Sequence, residues 1–386
     1  MDREVFVKQL TQWRHALHQH PETAFEEVRT SAFVADILEG LGYEVARGVG
    51  KTGVVASLKV GESNRVIGLR ADMDANAITE TGDASYRSQV PGKMHACGHD
   101  GHVTTLLGAA VLLAESRDFD GTVRLIFQPA EEPGYGAAAM MEDGLFTRFP
   151  VDEIYGLHNM PGLPAGTFHM RTGGIMASED NFTIQIHGKG GHASSPHMGT
   201  DPLVIASQVI LGLQTIVSRN ASPLQSAVVS CTEIHTDGAH NALPSNVVIT
   251  GDTRSFSPEM QELIETRMRA VCEGICTAGG ATCEFTYTHE FAPTINHPMC
   301  VTAAAEAARA VVGAEHVNEN CEPTMVSEDF ALYLRQVPGC FVFLGSKDEK
   351  KEKQVFLHNA EYDYNDAVLE TGAKFFAELV RQRLAK

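Results

Sequence analysis

The sequence lacks what would fit it to a membrane, a nucleic acid or an oxidising compartment. No apolar run in the 386 residues approaches the roughly 20 needed to cross a bilayer, so no membrane span is expected. Basic residues are scarce. Against 49 Asp and Glu there are only 30 Lys and Arg, and the formal charge of −19 repels the phosphates of nucleic acids and anionic membranes. A small molecule is the expected partner. The 8 cysteines, at 97, 231, 272, 276, 283, 300, 321 and 340, are too few and too irregular for a disulfide framework, and they point to a reducing compartment. The opening MDREVFVKQLTQW mixes charges among its apolar residues and predicts an amphipathic helix rather than a secretory apolar core, so a cytoplasmic location is expected. Internal repeats and low-complexity segments are missing as well.

The length and the 43% apolar content suffice for two domains, each with its own core. The richest stretch is Met94-His95-Ala96-Cys97-Gly98-His99-Asp100-Gly101-His102, with one thiol, three imidazoles and a carboxylate in nine residues. No packed core needs that mixture. In an extended segment Cys97 and His99 point to the same side, with Gly98 and Gly101 letting the backbone bend around whatever sits there. Thiolate with imidazole suits zinc or another late divalent transition metal, whereas magnesium and calcium prefer oxygen shells. The apolar run 103–114 predicts a buried helix whose N-terminus would lower the Cys97 pKa. The bland readings are a helix-capping His102, a surface His95 and a buried apolar Cys97. Cys-x-His alone is a weak motif and needs distant partners.

Helical patterns over 2–18 and 25–40 flank His20-Pro21-Glu22, where proline interrupts them. Runs at 66–69, 122–128, 154–157 and 340–345 predict strands buried on both faces. Polar residues follow them: Asp72 and Asp74, Glu131 and Glu132, His158, and later His358. Ligands of open α/β sheets sit beyond the carboxyl ends of the strands, so Asp72, Asp74, Glu131, Glu132 and His158 are expected to face one crevice with Cys97 and His99. Each acidic pair taken alone reads as a solvated loop. Between 177 and 290 the pattern becomes β-α-β-β-α-β, the order of a ferredoxin-like α+β domain, and the α/β pattern resumes afterwards. The expected division is a catalytic domain at 1–176 and 291–386 with an inserted domain at 177–290.

Several motifs then coincide: Arg14-His15 with His18, Pro21-Glu22, Phe25-Glu26-Glu27, Arg70 to Asp74, Met94 to His102, Gln128 to Glu132, His158, Gly190-Gly191-His192, and Ser327 to Phe330. Together they resemble the amidohydrolases that include hippurate hydrolase, N-acyl-amino-acid deacylases and plant auxin-conjugate hydrolases, in the aminoacylase/carboxypeptidase clan of two-metal peptidases. The resemblance implies a mixed-sheet α/β catalytic domain of the two-metal aminopeptidase type. It implies Cys97, His99, Glu132, His158 and His358 as ligands of two divalent ions, whether zinc, manganese, cobalt or nickel. The residues alone divide Glu131 and Glu132 into one ligand and one base without saying which. The resemblance makes Glu131 the general base. It also implies that His192 reaches a neighbouring subunit's site and donates to the oxyanion, and that Asn241 and Arg254 hold the substrate carboxylate. Asp72 stands where many relatives carry a metal-binding histidine, and Asp74 is expected to orient ligands from behind. Without the resemblance, Arg254 reads as a surface ion pair and His192 as a solvated loop residue. His15 and His18 are expected to be structural, and Ser327-Glu328-Asp329 to cap a helix.

The implied activity is metal-dependent hydrolysis of the amide bond of N-acyl amino acids. The implied assembly is a homodimer joined through the inserted domain, which also closes over substrate. A metallocarboxypeptidase or dipeptidase uses the same water attack. From other classes come a cysteine nucleophile at Cys97 with His99 as base, and a non-catalytic metal-binding module.

Overall fold

The computed structural model describes residues 2–349 and 354–386. The chain divides into two compact units, one of Met1–Gly173, Asn296–Glu322 and Asp329–Lys386, the other of Gly174–Ile295 and Pro323–Glu328. The insertion thus extends a few residues beyond 177–290 at either end. It also takes in Pro323–Glu328, which sequence reading left with the second catalytic segment.

The larger unit holds an eight-stranded mixed sheet in the order Glu44–Val49, Gly53–Val60, Gly121–Gln128, Val66–Asp72, Glu153–Pro164, Gly339–Lys347, Phe168–His169, Val317–Asn318. Its four central strands run parallel to one another, the first two strands pair antiparallel at one edge, and Gly53–Val60 and Phe168–His169 flank the parallel set in antiparallel pairing. Ile67, Leu69, Leu125, Phe127, Ile154, Tyr155, Val342 and Leu344 are all fully buried, as strands covered on both faces require. Register places Asp72 opposite Gln128 and His158 opposite Phe343, so the carboxyl ends share one edge of the sheet. The helix His99–Ser116 packs closely against its neighbours. At Gly108 a Cβ would lie 2.8 Å from the Ala373 Cβ and 2.9 Å from Leu10, so only glycine permits that approach.

Two buried ionic networks fix this frame. Arg70, 1% exposed, donates to Asp72 Oδ2 (2.7 Å), Asp329 Oδ1 (3.1 Å) and Gln128 Oε1 (2.9 Å). Asp329 also accepts from Gln128 Nε2 at 2.7 Å and the Ala137 N–H at 2.8 Å. It is therefore a tie between strands and not the expected helix cap; the helix there is only Ala331–Leu334 and has no side-chain cap. In the second network Arg14 pairs with Asp366 (2.7 Å), Asp363 (3.1 Å) and Asp100 (3.6 Å). His18 meets Asp100 at 2.8 Å and Glu80 at 3.3 Å, and His15 stacks on Tyr86. The helix Arg3–His18 is thereby anchored to the residue that follows His99.

The smaller unit is a four-stranded antiparallel sheet, Ala227–Thr236, Asn246–Ser255, Glu179–His187, Thr282–Phe291, with the helices Pro202–Thr215 and Pro258–Ala278. The order is ferredoxin-like. Alternating burial along Glu179–His187 leaves one face for the core of Phe182, Ile184, Ile186, Val209, Leu213 and Met268. Prolines at the first helical position and the caps Asp201 and Ser257 start both helices. The stretch Pro202–Asn220, 19 residues long, is apolar enough to cross a membrane by length and composition. That corrects the expectation that no run approaches such a length. Its Ile205, Ala206, Val209 and Leu213 are buried in this unit's own core.

Replacing Arg70 by Met strands the buried Asp72 and Asp329 carboxylates, and urea unfolding is expected to register a loss of about 3–5 kcal/mol; an unchanged midpoint would contradict this. Burial alone would lower the His18 pKa, but Asp100 and Glu80 raise it to about 9. A raised histidine contributes stability fully below its unfolded value near 6.5 and loses it as pH climbs through the folded value. The Tm deficit of His18→Gln is therefore expected to be large at pH 6 and to shrink towards pH 10; a deficit that grows with pH would overturn the assignment.

Candidate metal centre

The polar groups that follow the strands converge in the larger unit. The strand Val66–Asp72 leads to Asp74, Gly121–Gln128 leads to Glu131 and Glu132, and Glu153–Pro164 carries His158. The chain enters the helix His99–Ser116 through Gly98 at φ 91°, where a Cβ would lie 2.6 Å from Asn159 Oδ1. Cys97 and His99 therefore converge across a left-handed turn and not along the extended segment expected from sequence.

Three overlapping groups bring their donor atoms within 4.8 Å of one another: Cys97, His99 and His158; Cys97, Glu132 and His358; His99, Glu131 and Glu132. Cys97 Sγ lies 3.4 Å from His158 Nε2, and His358 Nε2 lies 3.3 Å from Glu132 Oε2. His99 Nε2 is 3.8 Å from Glu132 Oε1 and 3.9 Å from Glu131 Oε2. His99 Nε2 and Glu132 Oε1 are buried and make no hydrogen bond. Leaving a buried polar atom unsatisfied costs about 1–3 kcal/mol, and a cation between the two would satisfy both. Thiol, imidazole and carboxylate together suit a late divalent transition metal. Asp72, His99 and His102 form a further group of donors, but Asp72 and His102 are already committed. His102 lies 2.6 Å from Asp72 Oδ1 through Nδ1 and 2.6 Å from Asn159 Oδ1 through Nε2.

Two imidazoles are aimed by the same device. His99 Nδ1 donates to the Asp74 carbonyl at 2.8 Å, and His158 Nδ1 donates to the Asn159 carbonyl at 2.8 Å, which leaves each Nε2 lone pair towards the other donors. The Asp74 carboxylate accepts the N–H of Glu131 and of Glu132, each at 3.0 Å. His358 is held at φ +61°, its N–H donating to the Ala96 carbonyl at 2.8 Å.

Burial and the Glu132 carboxylate push the Cys97 thiol up to about 12. This corrects the expected lowering by the helix N-terminus; a divalent cation at the sulfur would reverse the balance. Burial and His102 drive His158 down to about 3, so it is neutral and able to ligate. For Glu132 burial is outweighed by His358 and His99, which hold the carboxyl at about 2. The two remaining histidines depart from expectation. His95 is 1% exposed with neither ring nitrogen bonded, and His102 lies inside the helix rather than capping it. Sequence reasoning also missed Asn159, which no motif singles out.

The other expected site residues belong to the inserted unit. His192 is exposed on the short strand Gly191–His192, paired with Ala242–Leu243, and its Nδ1 accepts from Ser194 N at 3.1 Å and Oγ at 2.8 Å. The Asn241 carbonyl accepts from the Ala193 N–H at 3.0 Å, which sets it beside His192. Arg254 is half-buried and paired with Glu179 at 2.8 Å and Asp252 at 3.0 Å.

A family model described as peptidase family M20/M25/M40 matches residues 68–382. Hippurate hydrolase of Campylobacter jejuni is 40% identical over 371 residues, covering 96% of this chain and 95% of that protein. Thermostable carboxypeptidase 2 of Saccharolobus solfataricus is 39% identical over 376 residues, covering 95% and 94%. Among solved structures, a Bacillus subtilis protein described as a dinuclear metal binding peptidase superposes with a TM-score of 0.87 at 36% identity, covering 99% of both chains.

Titrating chelator-stripped protein with zinc is expected to raise Tm, since a ligand at about 100 times its Kd adds about 2.7 kcal/mol. Cys97→Ser and His158→Ala should each remove most of that rise. A wild-type Tm indifferent to metal would count against the centre.

Proposed function

This chain belongs to peptidase family M20/M25/M40, and from that premise we propose that it hydrolyses the amide bond of N-acyl amino acids in a metal-dependent reaction, releasing a carboxylic acid and a free amino acid. The observation that carries the reading is the Glu131-Glu132 pair clamped by Asp74 beside Cys97, His99, His158 and His358. Those four residues and Glu132 would hold two divalent ions, of zinc, manganese, cobalt or nickel. When bound, the ions supply Lewis acidity for the acyl carbonyl and lower the pKa of a nearby water. Glu131 takes the proton from that water as it attacks the carbonyl carbon, and delivers it to the nitrogen as the C–N bond breaks. His192 donates to the oxyanion of a neighbouring subunit's substrate, in a cytoplasmic homodimer joined through the inserted unit. Asn241 and Arg254 hold the substrate carboxylate, Arg254 by exchanging one of its two acidic partners.

Carboxypeptidase or dipeptidase activity is the second reading, favoured by a carboxypeptidase relative at almost the same identity as the hippurate hydrolase. A cysteine nucleophile is disfavoured, because a thiol held near 12 supplies almost no thiolate at neutral pH. Hippurate and N-acetyl amino acids, tested against dipeptides, are expected to give the higher kcat/KM; a preference for dipeptides selects the second reading. Glu131→Gln should lower kcat by about 10²–10⁴-fold with its metal content unchanged. Wild-type turnover in that variant sinks the base assignment.

A further inference from the structure

The motif Phe25-Glu26-Glu27 has no part in the chemistry above, yet Glu27 reaches the segment that carries the base. Glu27 is fully buried and occupies the N-cap position of the helix Val28–Gly40, where its side chain caps nothing. Its Oε1 accepts the Ala130 N–H at 2.9 Å and its Oε2 accepts the Thr52 hydroxyl at 2.6 Å. Glu22 does the capping instead, taking the N–H groups of Arg29 at 3.0 Å and Thr30 at 2.8 Å. The Glu22 carbonyl also accepts the Ala75 N–H at 2.8 Å, next to Asp74.

Ala130 sits at φ +50°, in the left-handed region. For alanine this costs roughly 1–2 kcal/mol and persists only where the surroundings impose it. The imposition is visible on both sides of the residue. Its carbonyl accepts from Tyr135 N at 3.1 Å and Gly136 N at 2.9 Å. The consecutive N–H groups of Ala130, Glu131 and Glu132 are each taken by a carboxylate oxygen, one from Glu27 and two from Asp74. We infer that Glu27 is a positioning residue for Glu131, holding the left-handed Ala130 so that the base carboxylate is correctly aimed. This inference rests on Glu131 being the base. Asp74 still holds the N–H of both Glu131 and Glu132 when Glu27 is removed, so what is released is the left-handed Ala130, which directly precedes the base and lies one residue further from the ligand Glu132.

The test compares E27A, E27Q and E131Q as full-length, metal-loaded enzymes on whichever N-acyl amino acid the wild type turns over, well below the lowest Tm. E27A is expected to lose about 10²-fold in kcat, the scale of a 1 Å misplacement, with KM and metal content near wild type. E27Q should recover most of that loss, because a glutamine oxygen still accepts from Ala130 while its amide group bonds Thr52. Wild-type kcat in E27A with a lowered Tm would make Glu27 merely structural and overturn the inference. So would E27Q as impaired as E27A at equal stability, or E27A stripped of metal. If E27A does not fold, E27D, too short by a methylene to reach Ala130, carries the same expected loss, and wild-type kcat in it is equally fatal. Full turnover in E131Q would sink the base assignment itself, whereas an impaired E131Q beside an unimpaired E27A sinks only the role of Glu27.

Discussion

Asp74 is the fulcrum of the centre. Its carbonyl accepts from His99 Nδ1, and its two carboxylate oxygens accept from the N–H groups of Glu131 and Glu132. Charge-assisted bonds of this kind are strong, and stronger where water is excluded. One residue therefore sets the outward Nε2 of His99 and the path of both glutamates. Asn159 repeats part of the pattern for His158, its carbonyl holding Nδ1.

Around this point nearly every buried charge has a partner. Asp72 and Asp329 share Arg70, while Asp100 shares Arg14 and His18. These networks lie two residues before Asp74 and one residue after His99, so they brace the two segments that meet at the centre. Among the buried side-chain atoms left without a hydrogen bond, His99 Nε2 and Glu132 Oε1 are the ones that face each other at the centre. Two donor atoms are left aimed at one another at 3.8 Å, which is understandable as preparation for a cation.

Much of this was legible in the sequence because parallel strands read as continuous apolar runs and end at one edge. Asp74, Glu131, Glu132 and His158 announced themselves as polar residues after such runs. Other features depend on contacts that no local pattern carries. Asp329 meets Arg70 across 259 residues, and Glu27 meets Ala130 across 103. The helix His99–Ser116 is buried nearly all round, so it has no amphipathic stripe to tell that His102 faces inward. For Cys97 the argument from the helix N-terminus was sound but small; burial beside Glu132 outweighs it. Arg254 was readable as one half of an ion pair, but which acids it meets was not.

The central claim, that Cys97 joins the imidazoles and Glu132 around divalent ions, is tested most directly by X-ray absorption at the metal edge of zinc-loaded protein. The account predicts a sulfur scatterer at about 2.3 Å among nitrogen and oxygen neighbours at about 2.0–2.2 Å, with the sulfur lost in Cys97→Ser. A wild-type shell of nitrogen and oxygen alone, or a sulfur that survives the substitution, would contradict it.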